Sequence, residues 1–137
     1  MKASDLRIGN YVTANGVISE INYITPVTLG YGEKEFAPIC TSNYEYFQPI
    51  PITEEWLDKC PELQLRKDGS DSMYFRINDV TLLEIIIMKD GCYPQLWQAG
   101  ELSHQDDNMI VLERIKYIHE LQNLYKELKK KELEFKL

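Results

Sequence analysis

Histidine and cysteine, the residues that most often build metal and redox sites, are scarce in this chain of 137 residues. It has two histidines and three cysteines, Cys40, Cys60 and Cys92, with no C-x-x-C pair among them. An odd number of scattered cysteines is typical neither of a disulfide framework nor of a zinc ribbon. We therefore expect free, buried thiols and no metal or cofactor.

Long apolar runs are also missing. The longest, VTLLEIIIM, is interrupted by Glu84 and is far too short to span a bilayer. The first ten residues, MKASDLRIGN, carry no apolar segment of the kind found in secretory signal peptides. These two absences predict a cytoplasmic protein with no membrane partner.

Positive charge is in deficit, with 15 basic against 22 acidic residues and a formal net charge of −7. Nucleic-acid affinity comes largely from neutralising phosphates, so this balance disfavours nucleic acid as a direct ligand. The cluster KKK at residues 129–131 falls in the last turn of a predicted helix. Lysines there complement the negative end of the helix dipole, which is a structural reason for their presence.

The segment HELQN, residues 119–123, is one substitution away from the H-E-x-x-H signature of zinc proteases. That signature needs a second histidine one helical turn after the first, so that both imidazoles reach one metal. Here Asn123 takes that place, and the other histidine of the chain is His104. The pattern therefore predicts an ordinary amphipathic helix and no catalytic residue.

The apolar stripe of this helix is predicted at Tyr117, Leu121, Leu124 and Leu128, with Ile118 and Tyr125 on one flank. His119 falls nearly opposite the stripe, together with Gln122, Lys126 and Lys130. We expect that face to be solvated.

Residues 1–50 are predicted to form a small module of short strands. Asn15-Gly16 separates two runs rich in Val, Ile and Tyr, which is the strongest short hairpin signal. Further strands are predicted around TPVTLGYG and YEYFQPI, with Gly30 and Gly32 at the reversal between them. Several short, twisted strands favour an SH3-like β-barrel or a curled sheet.

Residues 51–137 are predicted to form a second unit, or to continue the first as one domain. Thr53 is a good N-cap for a short linking helix over residues 54–60. SMYFRIN alternates between apolar and polar residues, which predicts a half-buried strand. VTLLEIIIMK is apolar on both faces, which predicts a central strand that is covered on both sides. Asp90-Gly91 predicts a tight turn, and MIVLE predicts a last strand. With the C-terminal helix packed on this antiparallel meander, the fold class is α+β.

Three stretches, DLRIGNYV, PITEEWL and YIHELQNLY, together resemble a family of small prophage and conjugative mobile-element proteins of unassigned function. The typical patterns of that family are L-R-[IV]-G-N, P-[IL]-T-E-E-W-L and Y-V-H-x-L-Q-N-L-Y. Their order and approximate spacing match over most of the chain. The resemblance implies a mobile-element context and no established activity.

These observations lead to the hypothesis of a non-catalytic interaction module that binds a protein partner or itself. The candidate contact residues are Tyr44, Tyr46, Gln122, Asn123 and Tyr125. Tyrosine is common at recognition surfaces, and Gln122 and Asn123 are assigned to a polar face of the C-terminal helix.

Two alternatives remain open. The first is a nucleic-acid-related protein, either with Lys2, Arg7 and Lys34 beside tyrosines on a strand-binding face or with an acidic surface that mimics nucleic acid. The second is a small metal-dependent hydrolase that uses the loop around His104, Asp106 and Asp107 with Glu101 or His119.

Overall fold

The structure, a computed structural model, describes residues 3–25, 28–31, 40–65, 73–98 and 109–137. Its described strands form two antiparallel sheets, and its longest described helix follows the second of them. This architecture confirms the predicted α+β fold, with a curled first sheet, a short linking helix, an antiparallel second sheet and a C-terminal helix. None of the described helices is long and apolar enough to cross a membrane.

The first sheet has the strand order β4-β3-β2-β1-β5. Its strands are β1 (Tyr11–Ala14), β2 (Val17–Ile24), β3 (Thr28–Tyr31), β4 (Cys40–Asn43) and β5 (Phe47–Gln48). The predicted hairpin is confirmed, since Ala14 pairs with Val17 and the two intervening residues have φ of 51° at Asn15 and 80° at Gly16. Positive φ at both central positions is the requirement of a type I′ turn.

The curl of the first sheet follows from its connectivity. Strands β4 and β5 lie at opposite edges, yet only the 3₁₀ turn Tyr44–Tyr46 connects them. Three residues span at most about 10 Å, so the two edges must approach each other. The prediction of one strand around YEYFQPI is wrong in part, because a 3₁₀ turn occupies its first half. Gly30 does not mark a reversal either, since it lies inside β3 between Tyr23 and Thr41.

The linking helix α1 (Glu54–Asp58) is confirmed. Its N-cap is Thr53, whose hydroxyl accepts a hydrogen bond from the backbone N–H of Trp56 at 3.3 Å. The side chains of Trp56 and Leu57 are buried. A cap of this kind gives a partner to one of the N–H groups that have none at the start of a helix. Burial of Trp56 and Leu57 packs the helix against the core.

The second sheet is a meander with the order β10-β9-β8-β7-β6. Its strands are β6 (Gln64–Leu65), β7 (Met73–Arg76), β8 (Thr81–Met88), β9 (Gly91–Gln98) and β10 (Met109–Val111). Strand β8 is central, as predicted, but its apolar residues are buried more deeply on one face than on the other. Leu83 and Ile85 are buried, whereas Leu82 and Ile86 on the other face are half-buried, although Glu84 between them is buried. Neighbouring residues of a strand point to opposite faces, so this difference means that one face of the sheet carries the core.

The turn between β8 and β9 lies one residue earlier than predicted. Met88 pairs with Gly91, so Lys89 and Asp90 are the two residues of the turn. Gly91 opens β9 with φ of 142°, and a Cβ atom at this position would lie 2.9 Å from the carbonyl oxygen of Ile115. This glycine is therefore required both by its backbone conformation and by the close approach of the chain.

Helix α2 (Ile118–Lys129) contacts both sheets. On one side, Leu121 and Tyr125 belong to the largest core cluster, which includes the inner face of the second sheet. A separate apolar cluster fills the curl of the first sheet. The domain boundary at residue 50 stays a prediction.

Candidate functional site

The HELQN segment lies in the first two turns of α2, and two of its polar side chains, His119 and Gln122, are buried rather than solvated. His119 is 3% exposed and Gln122 is 1% exposed. The expectation of a solvated face is therefore wrong at both residues. The reason is that residues 5–11, which lead into the first sheet, lie against the side of α2 that faces away from the second sheet. A helical periodicity cannot reveal this second contact.

Gln122 binds the backbone where the chain enters the first sheet. Its side-chain oxygen accepts a hydrogen bond from the backbone N–H of Tyr11 at 2.9 Å. Its side-chain nitrogen donates to the backbone carbonyl of Gly9 at 3.0 Å. Both groups of the amide thus have hydrogen-bond partners inside the fold, and the side chain is too buried to contact a partner protein.

Asn123 makes a similar pair of bonds one residue further along. Its Oδ1 accepts from Nδ2 of Asn10 at 2.9 Å, and its Nδ2 donates to the backbone carbonyl of Asp5 at 3.0 Å. Asn10 is itself fully buried and accepts a hydrogen bond from the backbone N–H of Arg7 at 2.8 Å. The consecutive amides of α2 therefore hold residues 5–11 by hydrogen bonds.

Arg7 completes this polar contact. Its guanidinium donates to the backbone carbonyl of Gln122 at 3.0 Å and to Oε1 of Glu132 at 2.7 Å. Lys126 donates to the same carboxylate oxygen at 3.0 Å. Partial burial raises the pKa of Glu132, but the hydrogen bonds from Arg7 and Lys126 outweigh it and hold the pKa below its ordinary value. Arg7 is thus engaged in the fold, while Lys2 and Lys34, its predicted companions in nucleic-acid binding, lie outside the described residues.

The three stretches that carry the family resemblance meet at α2. DLRIGNYV supplies Arg7, Gly9 and Tyr11, which bind the helix as described. The chain around the start of PITEEWL forms a short ladder with the chain around the start of α2. The backbone N–H of Ile52 donates to the carbonyl of Lys116 at 2.9 Å, and that of Ile118 donates to the carbonyl of Ile50 at 2.8 Å. These motifs are therefore explained by contacts within the protein.

The three candidate tyrosines differ in their surroundings. Tyr125 is fully buried, with its ring edge-on to Phe75 at 5.2 Å between centroids and its hydroxyl donating to Glu62. Burial, followed by the bond to Glu62, raises its pKa. Tyr46 is half exposed and packs against Tyr31. The side chain of Tyr44 lies outside the described part of the chain. Tyr46 thus remains a surface candidate, whereas Tyr125 belongs to the core.

A cleft of about 630 Å³ lies between the 3₁₀ turn Ala3–Asp5 and the N-terminal end of α2. Its lining consists of Ser4, Asp5, Pro49, Ile115, Tyr117, His119, Glu120 and Asn123. The rings of Tyr117 and His119 are stacked, with centroids 5.7 Å apart and planes 10° apart. Clefts of this volume are large enough for a small ligand or a single side chain.

His119 lines this cleft and carries a polar atom without a hydrogen-bond partner. Its Nδ1 is buried and has no hydrogen-bond partner. Burial lowers the pKa of the imidazole from its ordinary value of 6.5, although the charges of Glu120 and Asp5 partly oppose the change. A buried polar atom without a partner is uncommon in proteins and points to a missing ligand or a structural compromise. The imidazole is neutral at pH 7, so it offers one donor and one acceptor.

The described residues contain neither an activated cysteine nor a cluster of metal ligands. Cys60 and Cys92 are free and buried, and burial raises the pKa of Cys60 to about 11 and that of Cys92 to about 12. Such thiols are protonated at neutral pH and therefore weak nucleophiles. Within the described ranges, no three side chains of His, Cys, Asp or Glu are grouped to hold a metal ion. His104, Asp106 and Asp107 lie outside those ranges, so the hydrolase alternative is not tested.

The sequence pattern missed the cleft for two reasons. Asp5 and His119 are separated by more than a hundred residues, and no local spacing connects them. Glu120 was recognisable only as a helix residue, whereas its carboxylate forms one half of a capping box by accepting the backbone N–H groups of Lys116 and Tyr117, each at 3.1 Å. The N-cap residue is Tyr117, whose side chain makes no capping hydrogen bond, so the usual Ser or Thr signature is absent.

Comparison with known proteins adds no further constraint on the site. No family model, curated protein or solved structure matches this chain. The resemblance to mobile-element proteins thus stays a prediction that rests on the three stretches quoted above.

Proposed function

We propose that this protein is a non-catalytic interaction module of a phage or other mobile element, and that it binds an extended segment of a partner protein along β10. The observation that carries this proposal is the surface of that strand. Ile110 is 62% exposed and Val111 is 61% exposed, and they are successive residues of an edge strand. Apolar side chains are thus presented on both faces of the strand.

The backbone of β10 supports strand addition. Among the described strands it pairs only with β9, where Met109 lies opposite Trp97 and Val111 opposite Gln95. An edge strand carries N–H and C=O groups on its outer side that can pair with another chain. Natural edges are commonly protected by lysine, proline or a bulge. The sequence of β10, MIV, contains no such residue.

The face of the second sheet beside β10 adds aromatic surface. Residues directly opposite each other on antiparallel strands share a face. Leu82, Trp97 and Met109 therefore form one row across three strands, and each of them is half-buried rather than buried. In strand addition, main-chain hydrogen bonds supply affinity and side chains on alternating positions supply specificity. This row gives a partner strand an apolar neighbour beside the β10 edge.

The non-catalytic part of the proposal rests on how the polar residues are used. Gln122, Asn123 and Arg7, the most distinctive polar side chains of the quoted stretches, all make hydrogen bonds within the fold. Residues that are engaged in this way hold elements together and are not available to a substrate.

A pull-down from host lysate, with nuclease and at two salt concentrations, tests the proposal when it is combined with a matched pair of variants. Val111→Lys places a charge on β10, and we expect it to abolish capture of the partner. Val17→Lys introduces the same charge at a residue of the first sheet that is 65% exposed, and we expect it to retain capture. Light scattering at two protein concentrations distinguishes a partner protein from a second copy of the chain.

The opposite results are equally informative. Equal capture by both lysine variants would exclude β10 as the contact strand. A signal that is lost on nuclease treatment would favour the nucleic-acid alternative instead, despite the net charge of −7.

A further inference from the structure

A second cleft, of about 400 Å³, lies where the turn between β8 and β9 meets the chain that leads into α2. Its lining includes three basic residues, Lys89, Arg114 and Lys116, and the carboxylate of Asp90. We call it the basic cleft. This local excess of positive charge contrasts with the formal net charge of −7 of the whole chain.

Arg114 is held in a fixed orientation at the basic cleft. Its Nη1 donates to Oδ2 of Asp90 at 3.0 Å, and the hydroxyl of Tyr93 donates to the same oxygen at 2.7 Å. The side chain of Arg114 also lies over Gly91, because a Cβ atom there would be 3.2 Å from its Cγ and Cδ atoms. A guanidinium carries five N–H donors, so donors remain for a ligand after the bond to Asp90 is made.

The two lysines of the basic cleft keep their charges. The ion pairs of the described residues involve neither Lys89 nor Lys116. Glu120 accepts the backbone N–H of Lys116 at 3.1 Å, but its carboxylate is not part of the lining. Since Asp90 offsets Arg114, the lining retains two positive charges.

The backbone keeps Arg114 and Lys116 on one side of the chain. Between them, Ile115 is buried and pairs with Cys92 through two hydrogen bonds, one of 2.7 Å from the N–H of Cys92 and one of 2.9 Å to its carbonyl. In an extended chain the neighbours of a residue point away from its own side. Burial of Ile115 therefore directs both basic side chains outward to the cleft.

A phosphate group matches this arrangement. A phosphate monoester carries about −1.5 to −2 charges at pH 7 and three acceptor oxygens. Two ammonium groups can neutralise that charge, and the donors of a guanidinium can bond the oxygens in a fixed geometry. A carboxylate has a single negative charge and would leave one of the two lysines unmatched.

A small ligand fits better than a polyanion. The volume of the basic cleft lies in the usual range of small-molecule sites, and Ile52, Met88 and Tyr117 give it an apolar wall. A long polyanion would also be repelled by the acidic surface of a chain with 22 acidic residues. A small anion responds mainly to charges within the screening length of about 8 Å at physiological ionic strength.

We propose that the basic cleft binds the phosphate group of a small molecule through Lys89, Arg114 and Lys116. The observations behind it are the two lysines without ion pairs, the oriented guanidinium and the concave, partly apolar lining. The phosphate can be free inorganic phosphate or part of an organic compound. This site does not depend on the strand-pairing proposal, because no residue of β10 lines it.

Titration of the full chain with inorganic phosphate and with phenyl phosphate tests the site, with the ionic strength held constant by sodium chloride. The readout is the NMR signals of the backbone amides of Gly91, Arg114 and Lys116, and we expect saturable shifts. Tighter binding of phenyl phosphate would identify an organic phosphate that uses the apolar wall. Equal affinity would identify free phosphate as the ligand.

Matched lysine variants locate the binding. Lys89→Gln and Lys116→Gln each remove one charge of the basic cleft, and we expect each to weaken phosphate binding about threefold and the double variant about tenfold. Lys136→Gln removes the same charge at an exposed lysine outside the lining and should bind as the unchanged protein does. All three lysines are exposed, so these variants should fold normally.

Three results would overturn the inference. The first is a set of shifts that grow with phosphate concentration without saturating. The second is a loss of affinity in Lys136→Gln as large as the loss in Lys89→Gln and Lys116→Gln. The third is tighter binding of a short oligothymidylate than of phenyl phosphate at the same ionic strength, which would indicate a nucleic acid in place of a small molecule.

Discussion

The two sides of α2 hold it in place by different means. Toward the second sheet the helix presents Leu121 and Tyr125 to an apolar core. Toward the first sheet it presents Gln122 and Asn123, which bind backbone and side-chain groups of residues 5–11. One helix therefore joins an apolar contact on one side to a polar contact on the other.

The difference shows what each kind of contact contributes. Apolar burial is roughly proportional to area and has no preferred direction, so it stabilises the docked helix without defining its exact position. Hydrogen bonds from an amide to two specific backbone groups are directional, and a buried polar group that loses its partner is unfavourable. We infer that the second sheet supplies most of the stability of the docked helix, and that the first sheet sets its position.

The largest effect is expected from a substitution on the apolar side of α2, which faces the second sheet. Leu121→Ala removes a fully buried side chain from the main core, and we expect it to lower the free energy of unfolding by about 2–5 kcal/mol. Leu124→Ala, at a half-buried position of the same helix, is the matched control and should cost less. Urea denaturation followed by circular dichroism measures both. Equal losses in the two variants would contradict a core centred on Leu121.

A smaller effect is expected on the polar side. Gln122→Leu keeps the side-chain size but leaves the N–H of Tyr11 and the carbonyl of Gly9 without partners, which should cost about 1–3 kcal/mol. Gln64→Leu, at an exposed glutamine, is the control and should be close to neutral. Hydrogen exchange gives the sharper measurement, because the Tyr11 amide should lose protection in Gln122→Leu alone. Unchanged protection there would show that the polar contact does not position the first sheet.

The stability of the protein should depend on pH through His119, which lies near the polar side of α2. Burial lowers the pKa of this imidazole in the folded protein below its ordinary value of 6.5. As the pH falls below about 6.5, the unfolded chain takes up a proton that the folded protein does not, so stability decreases by up to about 1.4 kcal/mol per pH unit. Well above pH 6.5 both states are neutral at this residue and the dependence disappears.

Comparison with His119→Gln isolates this contribution from the titration of carboxylates. Denaturation between pH 7.5 and 5 should give a steeper loss of stability for the unchanged protein than for the variant. Parallel curves for the two proteins would mean that His119 is protonated as easily in the folded state as in the unfolded one.

Local patterns in the chain are sufficient for several of its elements. Asn15-Gly16 predicts its hairpin because a type I′ turn needs positive φ at adjacent residues, and Thr53 predicts the start of α1 because its hydroxyl can cap the first turn. The alternation around Met73 and Phe75 predicts which face of β7 is buried. Each of these rules depends on residues a few positions apart.

The same patterns are insufficient for α2 and for the cleft. Periodicity finds the apolar residues of the helix, but it assigns His119 and Gln122 to water because it assumes one covered side. The second covered side exists because the curled first sheet brings residues 5–11 onto the helix, more than a hundred residues away in the sequence. Composition and local spacing thus determine the elements and the fold class. Long-range contacts determine which polar residues are buried and where a cleft forms, since burial depends on every element that packs against a residue.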